Sequence, residues 1–154
     1  MTGHTAAVEA LDEISRMLTR QLASIGEVSF SALATLATLD ASGPWRLTEL
    51  AVRENVSQPS MTAMISRLVR QGMVVRGADP ADARIALIEI TDEGRAVLRR
   101  RRAGRLAFLS SLENRLTSDE RHALAAAAPA LRRLTEPEGV AAALTAAKEA
   151  ATDA

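Results

Sequence analysis

The residues best equipped for chemistry lie between Ser57 and Arg70, where short hydroxyl and amide side chains are interspersed with arginine: Gln58, Ser60, Thr62, Ser66, Arg67 and Arg70. Such groups donate and accept hydrogen bonds at base edges and pair with phosphate oxygens. They do not shuttle protons or attack carbonyls. The sequence holds no Gly-rich phosphate loop, no metalloprotease spacing and no nucleophile motif. Cysteine is absent, which excludes disulfides, thiolate metal sites and cysteine nucleophiles together. His4 and His122, the two imidazoles, are too far apart in sequence to suggest a metal site, and each is read as a solvated histidine. The acids fall mostly at expected helix starts, where capping accounts for them. The expectation is therefore no enzyme, no metal and no cofactor.

For those polar residues to act together, one helix must present them on one face. Residues 50–68 read as a helix-turn-helix. Ala51 is the small residue that lets two helices cross closely, and Asn55 stands where the turn requires a left-handed backbone, which Asn tolerates better than most. Val56, Met61, Met64, Ile65, Leu68 and Val69 form the apolar stripe that fixes the second helix, residues 57–71, to a core. The opposite face then carries Gln58, Ser60, Thr62, Ala63, Ser66, Arg67 and Arg70, a set suited to a major groove. Ser57 caps this helix, and Pro59 is tolerated in its first turn. Residues 47–54 form the short preceding helix.

Further elements surround this pair. Val8, Leu11, Ile14, Leu18, Leu22 and Ile25 recur every three or four positions, which predicts an amphipathic helix over residues 6–25, interrupted by Gly26. Ser29 caps a second helix with Phe30, Leu33, Leu36 and Leu39, ended by residues 41–44. After Gly72, the segment 73–76 and the β-branched run 85–90 predict a hairpin. Its tip is long, and Arg84 there suits a minor groove, with Asp82 orienting the guanidinium; the alternative is a surface turn holding an ordinary Asp–Arg pair. Thr91, Asp92 and Glu93 open a long helix running to about residue 115. Thr117 and Glu120 have capping-box spacing and start another, in which Pro129 predicts a kink or an early end. Residues 136–154 are alanine-rich, read as frayed helix or as unstructured chain.

Composition agrees with one soluble domain that works in the cytoplasm. The 154 residues are 47% apolar and 25% charged, no apolar run approaches a membrane span, and the start lacks the pattern of a signal peptide. The formal net charge of zero hides a division: residues 44–105 hold 12 Arg and 7 acids, a net of +5, while the remainder holds 7 basic and 12 acidic residues. A basic middle is what phosphate binding requires.

Taken in order, residues 47–76, then Asp79-Pro80-Ala81-Asp82-Ala83-Arg84 and Ile90-Thr91-Asp92-Glu93-Gly94, resemble the MarR (multiple-antibiotic-resistance regulator) family of winged helix-turn-helix transcriptional regulators. The resemblance implies a mainly α fold with a small β-hairpin wing. It implies one domain over residues 1–135, in which 6–43 and 91–135 supply dimerisation and packing helices around a winged helix-turn-helix at 44–90. Residues 136–154 remain as a tail. It also implies a homodimeric repressor of a pseudo-palindromic double-stranded DNA operator, with Ser57, Gln58, Pro59, Ser60, Thr62, Ala63, Ser66, Arg67, Arg70 and Arg76 at the DNA and Asp82 and Arg84 in the wing. Two departures stand out. Glu54 occupies a position where the usual pattern packs an apolar residue under the turn, which implies a shorter helix or an exposed end, and the tail exceeds the usual length.

Arg99, Arg100, Arg101, Arg102 and Arg105 cannot share one helix face, so some point inward or toward a partner. They read as a solvated basic surface. The resemblance offers a second reading, an effector site where Arg99 or Arg102 pairs with the carboxylate of a small aromatic acid. Trp45, the one tryptophan, is a core anchor or a contact for such a ligand. The rival to DNA binding is a winged-helix module whose polar face meets another protein.

Overall fold

The computed structural model describes residues 3–23, 28–78 and 86–152. The chain forms two compact units, Met1–Leu106 and Ala107–Ala154. The first holds α1 (Gly3–Ala23), α2 (Phe30–Ser42), β1 (Trp45–Arg46), α3 (Leu47–Arg53), α4 (Gln58–Arg70), β2 (Val74–Ala78) and β3 (Ala86–Ile90). The long helix α5 follows (Asp92–Glu113), and the second unit holds α6 (Ser118–Arg133) and α7 (Pro137–Thr152). The fold is mostly helical with one small sheet, as the sequence pattern predicts.

Local chemistry sets the helix ends. Ser29 Oγ accepts the Ala32 amide at 3.3 Å to start α2, and Gly43, at φ 81°, donates to Leu39 O to end it. Thr91 Oγ1 accepts the Gly94 amide at 3.1 Å at the start of α5. A reciprocal capping box starts α6: Glu120 accepts the Thr117 amide at 2.8 Å, and Thr117 Oγ1 accepts the Glu120 amide at 3.3 Å. The backbone bond from Thr117, with a second from its hydroxyl at 2.9 Å, holds the Glu120 carboxyl below its usual range.

The sheet order is β1-β3-β2, antiparallel throughout. Val74 pairs with Ile90, Arg76 with Ile88, and Trp45 with Ile88. The face bearing Val74, Ile88 and Ile90 is buried, and with Leu36, Leu39, Leu50, Met61, Ile65 and Leu68 it builds the core of the first unit. Each such side chain contributes about 1.5–3 kcal/mol of apolar burial. The core therefore lies between α2, the helix pair α3–α4 and the sheet.

Several expectations require correction. The two-residue strand β1 has no counterpart in the sequence pattern, because two residues offer no alternation for the period-2 signal to act on. Pro129 does not end α6, which continues to Arg133. The missing N–H there leaves the Ala125 carbonyl on an exposed stretch where water can serve it. Of the two readings of the alanine-rich segment the helical one holds: it forms α7, opened by Pro137, a residue that suits the first helical position. Phe30 lies on the exposed side of α2, with Ala32 and Thr35 buried beside Leu36 and Leu39 instead.

Along the apolar stripe of α1, Val8, Leu11 and Ile14 are 55%, 40% and 47% exposed and Leu18 is half-buried, while the side chains of Leu22 and Ile25 lie outside the described residues. Neither α6 nor α7 has a buried residue among those described. No helix among the described residues is long and apolar enough to cross a membrane.

Candidate nucleic-acid interface

The helix-turn-helix forms as the residue types require. Leu50 and Ala51 are buried, and the small Ala51 side chain gives α4 its close approach. α3 ends at Glu54, whose amide donates to Leu50 O at 3.0 Å. Asn55 follows in the left-handed region at φ 51°, its amide donating to Val52 O at 3.1 Å, and Val56 N donates to Ala51 O at 3.0 Å. Asn is favoured here because its short polar side chain tolerates a conformation that costs other non-glycine residues about 1–2 kcal/mol. Ser57 then caps α4, its Oγ accepting the Ser60 amide at 3.3 Å and donating to Ser60 Oγ at 2.8 Å.

One face of α4 is anchored by Met61, Ile65 and Leu68, all fully buried, with Val56 and Met64 packed partly against them. Val69 departs from the expected stripe and is 37% exposed, since it falls at the edge of that face. On the opposite side Gln58, Pro59, Ser60, Thr62, Ala63, Arg67 and Arg70 are exposed and Ser66 is half-buried. The Thr62 hydroxyl donates back to Gln58 O at 2.8 Å, so this side chain offers outward an acceptor and a methyl group. Arg67 and Arg70 lie in the last turn, where the helix dipole favours cations.

Strand β2 reaches this helix through Arg76. Its side chain leaves the strand on the core-facing side, and Nη2 donates to Ser66 Oγ at 3.3 Å. Ser66, an acceptor there, keeps its O–H for another partner. The strand pairing extends outward to Ala78 and Ala86. Asp82 and Arg84, the wing residues singled out by sequence, lie outside the described residues.

The remaining candidates fall elsewhere. Trp45 is half-buried in β1, with the Arg53 guanidinium 5.3 Å from its ring centroid. Arg99 and Arg102 are exposed on α5, and no side-chain hydrogen bond, ion pair or ring contact among the described residues joins Trp45 to either. The inward turn expected within the arginine run falls on Arg101, which is half-buried with its guanidinium 5.7 Å from the Phe30 ring centroid. Arg100 pairs with Glu93 at 2.7 Å. Among the described residues there is no group of three or more potential metal ligands.

Two polar contacts carry no signal in the sequence. Thr38 donates to Glu54 Oε1 at 2.7 Å, and the buried Thr35 hydroxyl lies 3.4 Å from Met64 Sδ. Glu54 is visible as an anomaly, but nothing in the sequence links it to Thr38, a helix away.

With this geometry in view, residues 28–86 match the model of the MarR family. An HTH-type transcriptional regulator of Mycobacterium tuberculosis is 34% identical over 109 residues, 71% of this chain and 76% of the relative. The chain belongs to the MarR family. The HTH-type transcriptional repressor MdtR of Bacillus subtilis is 30% identical over 93 residues, 60% of each chain. The crystal structure of a putative transcriptional regulator from Pseudomonas aeruginosa is 32% identical and superposes with a TM-score of 0.69, covering 88% of this chain and 99% of that one. This MarR-family chain is thus a transcriptional regulator built on a helix-turn-helix DNA-binding fold, and its three-stranded sheet is the base of the wing.

Proposed function

We propose that the chain works as a homodimeric repressor in the cytoplasm, without enzymatic activity, that reads an inverted-repeat operator through α4. The observation that carries this reading is the division of α4: one side is locked into the core by Met61, Ile65 and Leu68, while the other exposes hydroxyl, amide and guanidinium groups that the core does not use. Ser57, Gln58, Ser60, Thr62, Ser66 and Arg67 meet bases or phosphates, with Pro59 and Ala63 lying against the groove. Arg70 and Arg76 meet the backbone, and Arg84, oriented by Asp82, enters the minor groove. Repression is favoured because the relative MdtR carries that description. The open apolar face of α1 supports a second copy as its cover. In a two-fold dimer the recognition helices lie about 34 Å apart, so half-sites repeat at about 10 base pairs.

The domain division follows from this reading: residues 44–90 read DNA, 6–43 and 91–135 assemble the dimer, and 136–154 add a helix of separate purpose. An aromatic acid that relieves repression would place its carboxylate against Arg99 or Arg102, both solvent-accessible; Trp45, covered by Arg53, is the weaker contact.

The test is selection of bound duplexes from a random-sequence library, followed by titration at several salt concentrations. A regulator yields an inverted repeat, and its affinity falls steeply as salt rises. Substituting Arg67 or Arg84 by Ala removes a base or groove interaction and should weaken binding by about 1–3 kcal/mol while the fold persists. A protein that enriches no sequence, and binds bulk duplex no better at low salt than at high, is not a DNA reader, and the polar face then belongs to a protein partner.

A further inference from the structure

Glu54 breaks a local rule. It caps the C-terminal end of α3, where the helix dipole disfavours an anion. The structure supplies its partner. The Thr38 hydroxyl of α2 donates to Glu54 Oε1 at 2.7 Å, a short bond to a charged acceptor in a half-buried setting. One turn earlier on α2, the fully buried Thr35 faces α4, its proton shared between Ser31 O at 3.0 Å and Met64 Sδ at 3.4 Å. Two hydroxyls spaced i, i+3 on α2 thus address the two halves of the reading head, one at the turn and one at α4.

Apolar burial alone does not fix the rotation of one helix on another, because it is not directional. A hydrogen bond is directional and weakens steeply as it bends, so it restricts that rotation. The residues it serves are the ones that aim α4: Glu54 is followed by left-handed Asn55, Val56 and the Ser57 cap. A residue that violates local preference without being needed for burial is where a functional constraint is to be sought.

We infer that Glu54 is a positioning residue, which through Thr38 fixes the rotation of the helix-turn-helix against α2 and so sets the half-site spacing that the dimer accepts. The spacing part rests on the proposed DNA-reading dimer. The positioning part does not.

The experiment uses the full chain as wild type, Thr38→Val, Thr38→Ser, Glu54→Leu, Glu54→Gln and the double variant Thr38→Val/Glu54→Leu. In DNA-free protein, Thr38→Val and Glu54→Leu should speed amide hydrogen exchange at Glu54, Asn55 and Val56 by about tenfold, the scale of removing a hydrogen bond to a charged group. Thr38→Ser, which keeps the hydroxyl, should exchange like wild type. The double variant Thr38→Val/Glu54→Leu, which replaces both halves of the half-buried pair by apolar groups, should retain the unfolding midpoint, since such a replacement is commonly close to neutral. A purely structural role would lower that midpoint instead. On the duplex selected by the wild-type protein, and on versions with one base pair added or removed between half-sites, Thr38→Val and Glu54→Leu should lose about tenfold in spacing discrimination. Glu54→Gln, still an acceptor but uncharged, should fall between.

Unchanged exchange in Thr38→Val and Glu54→Leu overturns the positioning role. Altered exchange with unaltered spacing preference overturns the link to half-site geometry. A wild-type protein that selects no duplex sinks the DNA reading, while the exchange rates still decide whether Glu54 holds the turn.

Discussion

Gly94 is the position where one methyl group should cost most. It lies in the first turn of α5, buried, at the point where the sheet hands the chain to the long helix. Its amide donates to Thr91 Oγ1 at 3.1 Å, and that hydroxyl donates in turn to Gly72 O at 2.6 Å. A Cβ built on Gly94 would press into the Met73 carbonyl oxygen and come within 2.7 Å of Ile90 Cγ1. The carbonyl cannot step aside cheaply, because it accepts the Thr91 amide at 3.0 Å while the Met73 amide is tied to Leu68 O at 2.9 Å. Gly94→Ala gains about 1 kcal/mol of helix propensity. Against this stand overpacking of about 1–3 kcal/mol and about 1 kcal/mol for a disturbed hydrogen bond, and with the carbonyl pinned the overpacking falls at the upper end, so a net loss of about 2–3 kcal/mol is expected. With a urea dependence of about 2 kcal/mol per M, the unfolding midpoint should fall by roughly 1–1.5 M, read by far-UV circular dichroism and by Trp45 fluorescence. Gly104, on the same helix with nothing within 4 Å of its hypothetical Cβ, is the control, and Gly104→Ala should gain up to about 1 kcal/mol. A Gly94→Ala protein as stable as wild type would refute the reasoning.

Other substitutions test neighbouring steps. Asn55→Val should lose about 1–2 kcal/mol in urea melts, because a β-branched residue is forced to φ 51°, whereas Asn55→Gly should stay close to wild type. Ser57→Ala should cost about 1 kcal/mol by removing the oxygen that accepts the Ser60 amide. For Glu120, the carboxyl is depressed in the folded chain, so its contribution to α6 is complete above the ordinary Glu pKa of about 4.3. That contribution is lost as pH falls through the depressed folded value; the Thr117 amide shift should report the change, and Glu120→Ala should abolish the titration.

The parts of the fold legible in sequence are those where a local pattern has one structural answer. Asn55 between two apolar-periodic segments, Ser57 ahead of Pro59, and Thr117 three residues before Glu120 each satisfy a backbone demand that the sequence states directly, and each is met. The buried positions Met61, Ile65 and Leu68 follow from helical spacing. What escapes is non-local. β1 exists because Trp45 and Arg46 pair with Ile88 and Leu87, about forty residues on. The Thr38–Glu54 bond joins two helices, so in the sequence Glu54 stands as an exception rather than as half of a pair. Val69 falls outside the stripe because helical spacing marks the centre of a face better than its edge.

Burial is uneven in a way that bears on assembly. The helix-turn-helix, the sheet and α2 close a core of their own, with Leu36, Leu50, Met61, Ile65 and Leu68 fully buried inside one chain. α1 keeps an amphipathic face on which Val8, Leu11 and Ile14 are exposed. In the second unit Leu124, Val140 and Leu144 are likewise exposed. A helix that buries no apolar face gains little beyond propensity, and propensity alone leaves short isolated helices marginal in water. On the proposed homodimer reading, the head is ordered by its own core, whereas α1 and the second unit draw on cover from the second copy. Under the proposed homodimer, dilution should reduce helicity in α1 and in the second unit before it affects the head. Amide exchange followed across protein concentration would separate the two, and equal loss everywhere would mean that the head, too, depends on the partner.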